Sequence, residues 1–197
     1  MGEHEIRERA VFLDRDGVLN RPVVRDGLPF APTSVDEFEL YPNVVEGCAQ
    51  LKQAGFLLVA VTNQPDVGRG TQRREIVETM NTSLRAAIPS LDAIEVCFHA
   101  GASHGEPCEC RKPKPGMLLR AAAIHAIDLQ ESFLIGDRWR DIGCAHAAGC
   151  RAVFIDHGYR EALREKPEFT VSNFSEAVLA ILNCVRQNNL AASSGRD

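Results

Sequence analysis

Two carboxylates stand two residues apart at the end of an apolar run, in Val11-Phe12-Leu13-Asp14-Arg15-Asp16-Gly17-Val18-Leu19-Asn20. In extended backbone residues i and i+2 point to the same side, so Asp14 and Asp16 address one small volume, and Gly17 lets the chain turn sharply after them. Two like charges at that spacing repel unless a cation lies between them or they share a proton. Taken alone, the same residues also read as a polar turn closing a strand. Three further segments repeat the pattern. Phe56–Val61 runs into Thr62-Asn63-Gln64, and Ser132–Ile135 runs into Gly136-Asp137 with Asp141 four residues on. Between them Arg111-Lys112-Pro113-Lys114-Pro115-Gly116 opens a helical stretch.

Such residues meet only if their strands lie side by side. The chain alternates strand and helix patterns, which predicts an α/β domain with a mainly parallel sheet, and ligands of such sheets gather at the carboxyl ends of the strands. Pro22 to Phe30 reads as a short hairpin turning at Asp26-Gly27. Helical spacing over Val44 to Ala54 places Val44, Val45, Cys48 and Leu51 on one face. Further helices are predicted at about 73–87, 115–127, 140–148 and 174–185, and further strands at 93–98 and 151–156. Residues 1–187 read as a single domain and 188–197 as a disordered tail.

The 197 residues, 45% hydrophobic and 25% charged, suit a folded domain with a sizeable core. No apolar stretch is long enough to span a bilayer, and Met1 to Arg9 is charged where a secretory peptide needs an apolar segment, so a cytoplasmic protein with no membrane partner is expected. A net charge of −5 without a basic run argues against a nucleic-acid partner. A monomer or weak homo-oligomer acting on a small molecule is the expectation.

Cys97-Phe98-His99 and Cys108-Glu109-Cys110 form a second constellation, directly before Arg111-Lys112. Three thiolates and an imidazole fit tetrahedral Zn2+ and leave no position for water, as in a structural site. Free cysteines or a disulfide are the other readings, the latter disfavoured in a reducing compartment. His104 reads as a solvated loop residue, Cys48, Cys144, Cys150 and Cys184 as small packing residues, and His125, His146 and His157 as structural.

The order Asp-x-Asp, Thr, Lys, Gly-Asp-x-x-x-Asp over residues 11–141 resembles the haloacid dehalogenase superfamily of phosphohydrolases. With the zinc set, the likeness narrows to the histidinol-phosphatase-like branch and, within it, to the heptose bisphosphate phosphatases. It is carried by Asp14-Arg15-Asp16-Gly17, Thr62-Asn63-Gln64, Arg69-Gly70, the stretch Cys108 to Leu118 and Gly136-Asp137. Two places depart from the family's pattern: Pro65-Asp66-Val67-Gly68 stands where Ser-Gly-Ile-Ala is usual, and Cys97-Phe98-His99 where Cys-Pro-His is usual. The resemblance implies a Rossmann-like three-layer sandwich that is capless, since only a hairpin and one helix fit between the first two motifs, with a zinc-binding loop over Cys97, His99, Cys108 and Cys110.

It also implies roles. A phosphate dianion repels a carboxylate nucleophile, so Asp14 needs Mg2+, a hard cation with oxygen ligands, assigned to Asp14, Asp137 and the backbone carbonyl of Asp16. Lys112 balances the remaining charge and Thr62 donates a hydrogen bond, while Asn63, Arg111 and Arg69 are candidate substrate contacts. Asp14 becomes phosphorylated, and Asp16 serves as general acid and then base. Asp141 is open between a supporting role at the metal and a helix-start acid, and Arg69 between substrate and solvent. The zinc loop would pin Arg111 and Lys112 against the site. The alternatives are a histidinol-phosphate phosphatase and, in another class, a zinc-stapled non-catalytic binding module. A polynucleotide 3'-phosphatase shares the Asp-x-Asp-Gly start but not the acidic balance.

Overall fold

A computed structural model describes residues 7–194. The charged start of the chain falls mostly outside the described residues. The strands are β1 (Arg9–Asp14), β2 (Val23–Arg25), β3 (Leu28–Phe30), β4 (Phe56–Asn63), β5 (Ala93–Cys97), β6 (Phe133–Gly136), β7 (Arg151–Ile155) and β8 (Phe169–Val171). The helices are α1 (Val44–Gln53), α2 (Pro65–Gly68), α3 (Arg74–Ala87), α4 (Gly116–His125), α5 (Trp139–Ala148) and α6 (Phe174–Ser194). Six strands form one sheet in the order β5-β4-β1-β6-β7-β8, every neighbouring pair parallel. The hairpin β2-β3 stands apart and turns at Asp26-Gly27 as expected.

Alternation along β1 shows why the sheet is covered on both faces. Val11 and Leu13 pack with Val44, Cys48 and Leu51 of α1 and with Ala177, Val178 and Ile181 of α6. Ala10 and Phe12 point the other way, among Met117, Leu118 and Ala121 of α4 and Ile142 and Ala145 of α5. The result is the expected three-layer, Rossmann-like sandwich. No lid domain interrupts it among the described residues. From β1 the chain builds outward through β4 and β5 on one side, then returns to build β6, β7 and β8 on the other. The crevice at this reversal lies beyond the carboxyl end of β1, where Asp14 stands.

Several details differ from the sequence reading. Val45, assigned to the buried face of α1, is exposed, because the buried stripe runs through Val44, Gly47, Cys48 and Leu51, with Phe174 packed on Gly47, and position 45 lies off it. Strand β8 is absent from the sequence reading, its three residues being too few to show an alternation. Helix α6 continues to Ser194 across most of the stretch expected to be disordered. No Gly or Pro interrupts residues 174–194, so nothing local stops the helix. Residues 195–197 of that tail lie outside the described residues.

Candidate active site

Beyond the carboxyl ends of β1 and β4 opens a cavity of about 320 Å³, lined by Asp14, Asp16, Thr62, Asn63, Lys112 and Asp141, with Arg69 and Arg111 among its cations. Strand β1 delivers Asp14, β4 delivers Thr62 and Asn63, and the segment before α4 delivers Lys112. Asp137 directly follows β6. The four sequence motifs therefore converge.

Lys112 is buried, and its Nζ lies 2.8 Å from Asp14 Oδ1, 2.7 Å from Asp141 Oδ1 and 3.0 Å from the carbonyl of Val61. Asp141 closes the start of α5, as its helix-start reading has it, through Oδ2, which accepts the backbone N–H of Arg138 at 3.0 Å, while its Oδ1 faces Lys112. Asp14, Asp137 and Asp141 are buried and bring carboxylate oxygens within 4.8 Å of one another. Burial, reinforced by Asp141, pushes the Asp14 carboxyl up to about 7 despite the opposing pull of Lys112. Burial raises Asp137 well above the usual carboxylate range, and Asp14 and Asp141 add to it.

Among the described residues neither oxygen of Asp137 makes a hydrogen bond of good geometry, the Tyr159 hydroxyl being its polar neighbour. Three buried carboxylates against one ammonium leave two negative charges uncompensated when all are ionised. An unpartnered buried carboxylate in that setting fits a hard divalent cation with oxygen ligands, so the donor set suits Mg2+. The contribution expected of Asp16 is its backbone carbonyl; its carboxylate is turned into a separate cradle, and Asp141 joins Asp14 and Asp137 in the carboxylate cluster.

In that cradle Arg15, fully buried, grips Asp16 through Nε (3.1 Å to Oδ1) and Nη2 (3.0 Å to Oδ2). Asn20 Nδ2 donates to Oδ1 at 3.0 Å and Gln64 Nε2 donates to Oδ2 at 2.7 Å. Gln64 also donates to the hydroxyl of Thr62 at 2.8 Å. Asn63 lines the cavity, but both ends of its amide hold the backbone of Lys112: Oδ1 accepts its N–H at 3.1 Å and Nδ2 donates to its carbonyl at 3.2 Å. This residue was expected to touch substrate, and its contacts make it a positioning group for Lys112.

Arg15, Asn20 and Gln64 are the groups whose contacts sequence reasoning missed. For Gln64 the signal was present: with strand period two it shares a side with Thr62, opposite Asn63. His157, read as structural, takes a structural place. Its Nε2 donates to the carbonyl of Gly17 at 2.8 Å, and its ring stacks on Tyr41 at 5.7 Å.

Cys97, at the end of β5, meets His99, Cys108 and Cys110 in the following loop. The separations are 3.6 Å for Cys97–His99, 3.8 Å for Cys97–Cys108, 3.1 Å for Cys97–Cys110 and 3.2 Å for His99–Cys110. These approach the edges of a zinc tetrahedron, about 3.5–3.8 Å for ordinary Zn–S and Zn–N bonds, and are far too long for disulfides. The donor set fits zinc. Gly68, in the departure after Gln64, packs on this loop: a Cβ there would lie 2.4 Å from the backbone nitrogen of Ala100 and 2.5 Å from the carbonyl of Phe98. That departure from the family's pattern thus has a structural role, bringing α2 against the cysteine loop.

The hairpin walls the cavity with Leu28, Pro29 and Phe30. Arg138 Nη1 donates to the carbonyl of Pro29 at 3.2 Å and the backbone N–H of Arg160 to that of Gly27 at 2.9 Å, so the wall is anchored at two points. No helix among the described residues is long and apolar enough to cross a membrane.

Comparison with known proteins agrees with this geometry. The family described as HAD-hyrolase-like matches residues 109–177. The D-glycero-beta-D-manno-heptose-1,7-bisphosphate 7-phosphatase of Yersinia pestis is 40% identical over 147 residues, 71% of this chain and 75% of that protein. The protein of the same name from Escherichia coli strain K12 is 39% identical over 147 residues, 71% of this chain and 74% of its own length. Among solved structures, the D,D-heptose 1,7-bisphosphate phosphatase from B. bronchiseptica, complexed with magnesium and phosphate, superposes with a TM-score of 0.72 at 28% identity, covering 89% of this chain and 98% of its own. The chain belongs to the haloacid dehalogenase superfamily, in the family of the D-glycero-beta-D-manno-heptose-1,7-bisphosphate 7-phosphatases.

Proposed function

We propose that the protein is a magnesium-dependent phosphomonoesterase that removes the 7-phosphate of D-glycero-beta-D-manno-heptose 1,7-bisphosphate, with Asp14 as nucleophile. The observation that carries the reading is Lys112 Nζ held between Asp14 and Asp141 beside the two unpartnered oxygens of Asp137. That is a nucleophile with its counter-charge in place and an adjoining set of carboxylates that calls for a cation. Asp14, Asp137 and the backbone of Asp16 would hold Mg2+, with Asp141 beside them. When bound, the cation offsets the repulsion between carboxylate and phosphate dianion.

The chain's own residues do the rest. Lys112 orients Asp14 and opposes the burial that favours its protonated form, a work the bound cation would complete, and Asn63 fixes Lys112 through its backbone. In-line attack by Asp14 on phosphorus forms an aspartyl phosphate as the ester bond to the sugar breaks. Asp16, protonated, gives its proton to the departing sugar oxygen, and as a carboxylate it then takes a proton from the water that hydrolyses the acyl phosphate. Arg15, Asn20 and Gln64 donate to both oxygens of that carboxyl and fix its place, so its acid step requires one oxygen to leave this cradle toward the substrate. Arg111 and Arg69 face the substrate, and the hairpin wall supplies the selectivity that other folds obtain from a lid. Zinc on Cys97, His99, Cys108 and Cys110 has a structural role, fixing the loop from which Arg111 and Lys112 emerge.

The test is kcat/KM with Mg2+ for both anomers of the heptose bisphosphate and for histidinol phosphate, with Asp14→Asn as the blank. A preference of about a hundredfold for the β anomer, about 2.7 kcal/mol at the transition state, is expected. Preference for histidinol phosphate would move the substrate and keep the chemistry. Turnover of no phosphoester would favour a zinc-stapled binding module.

A further inference from the structure

Three aromatic residues stand together beside the carboxylate cluster and have no part in the chemistry described so far. His157 and Tyr159 lie on the loop that follows β7, and Tyr41 lies on the segment before α1. The rings of Tyr41 and His157 are stacked, 9° from parallel with centroids 5.7 Å apart, and the ring of Tyr159 lies 5.3 Å from that of His157. None of the three lines the cavity over Asp14 and Lys112, so none is placed to touch substrate. Tyr159 instead lines, together with Asp137, a second cavity of about 310 Å³.

The polar ends of this cluster reach two of the groups assigned to the cation. His157 Nε2 donates to the carbonyl of Gly17 at 2.8 Å, while the N–H of Gly17 donates to the carbonyl of Asn20 at 2.8 Å. Both peptide planes that meet at Gly17 are thereby fixed, and the one on its N-terminal side carries the backbone carbonyl of Asp16. Asp137 packs on Gly17 so closely that no Cβ fits between them. The hydroxyl of Tyr159 neighbours the Asp137 carboxylate; burial, and after it the charge of Asp137, raise the pKa of the phenol, so it stays a neutral O–H donor. Tyr41 ties the stack to the turn after β1, its backbone N–H donating to the carbonyl of Leu19 at 3.0 Å. Groups that orient a metal's ligands without touching the metal are worth about 10- to 100-fold in affinity or activity. We propose that His157 and Tyr159 are positioning residues for the Mg2+ site, His157 acting through the Gly17 peptide and Tyr159 on the carboxylate of Asp137. This inference rests on the assignment of Mg2+ to Asp14, Asp137 and the Asp16 carbonyl above and extends it to the loop after β7.

The experiment measures Mg2+ binding to the purified protein by titration calorimetry, with Asp137→Ala as the blank. The variants are His157→Phe, which keeps a ring in the stack and removes the donor, His157→Gln, which returns an N–H donor, and Tyr159→Phe, which removes only the hydroxyl. His157→Phe and Tyr159→Phe are each expected to weaken Mg2+ binding about 10-fold or more while the melting temperature of the Mg2+-free protein stays near that of wild type, and His157→Gln to recover part of the loss. The Mg2+ concentration for half-maximal turnover should rise by the same factor, with kcat at saturating Mg2+ largely kept. If wild type binds Mg2+ and a Phe variant binds it equally well, the role of that residue is overturned and the cation reading stands. A loss in His157→Phe that His157→Gln repeats in full would make His157 a packing residue and overturn its part of the proposal. If wild type binds no more Mg2+ than Asp137→Ala, the cation reading falls and takes this inference with it.

Discussion

A Cβ at position 17 would lie 1.8 Å from Asp137 Oδ2, so the carboxylate of Asp137 packs directly on the bare backbone of Gly17. The backbone there is also left-handed, with φ +104°, and His157 holds its carbonyl. Two demands thus meet at one residue: a turn that only glycine makes without strain, and a close approach that brings β6 and β1 chemistry together. Replacement by alanine, Gly17→Ala, must push Asp137 away from Asp14. The expected result is a loss of about a hundredfold in Mg2+-dependent phosphatase activity, since displacing a catalytic group by about an ångström costs that much, and a stability loss of about 1–3 kcal/mol from backbone strain. Full activity in Gly17→Ala would show that Asp137 can move without consequence.

The cysteine loop makes a separate prediction. Purified protein should carry one zinc per chain by elemental analysis. Its removal by a chelator that spares magnesium should lower both the melting temperature and the activity, because Arg111 and Lys112 follow Cys110 directly. Cys97→Ser should do the same, Cys97 being the buried member of the set. Zinc-free protein that keeps full activity and its melting temperature would remove the structural role.

Stability should respond to pH through His146. Burial lowers its affinity for a proton, but bonds to Glu165 Oε2 at 2.6 Å and Glu168 Oε2 at 3.3 Å outweigh this and raise its pKa above the usual 6.5. The folded state then binds the proton more tightly than the unfolded chain does. The stabilisation is full below the unfolded pKa of about 6.5 and is lost as pH rises through the higher folded value. Wild type should exceed His146→Gln by about 0.5–1 kcal/mol at acidic pH and by nearly nothing well above the folded pKa. Denaturant melts of both proteins on either side of that window measure it, and a gap that widens with pH contradicts the ion pair.

Which residues converge on one crevice was legible from the chain because both the motifs and their supports obey short-range geometry. Period two in β1 and β4 sets sides, apolar runs set strands, and the rule that parallel sheets gather function at their carboxyl ends brings Asp14, Thr62, Lys112 and Asp137 together. The cluster of Cys97, His99, Cys108 and Cys110 was equally local, with two donor pairs eleven residues apart at the end of β5 and in the loop after it. What each polar atom faces was decided only by the fold. The carboxylate of Asp16 belongs to Arg15 and Gln64 and not to the cation cluster, Asn63 serves Lys112, and Asp141 divides its two oxygens between a helix start and an ammonium. Gln64 and Asp16 are 48 residues apart and His157 and Gly17 are 140 apart, so their contacts exist only once the sheet has placed β4 beside β1 and β7 one strand beyond β6. A sequence pattern specifies which side of a strand a group is on, but its partner is chosen by whichever segment the sheet order brings within hydrogen-bonding distance.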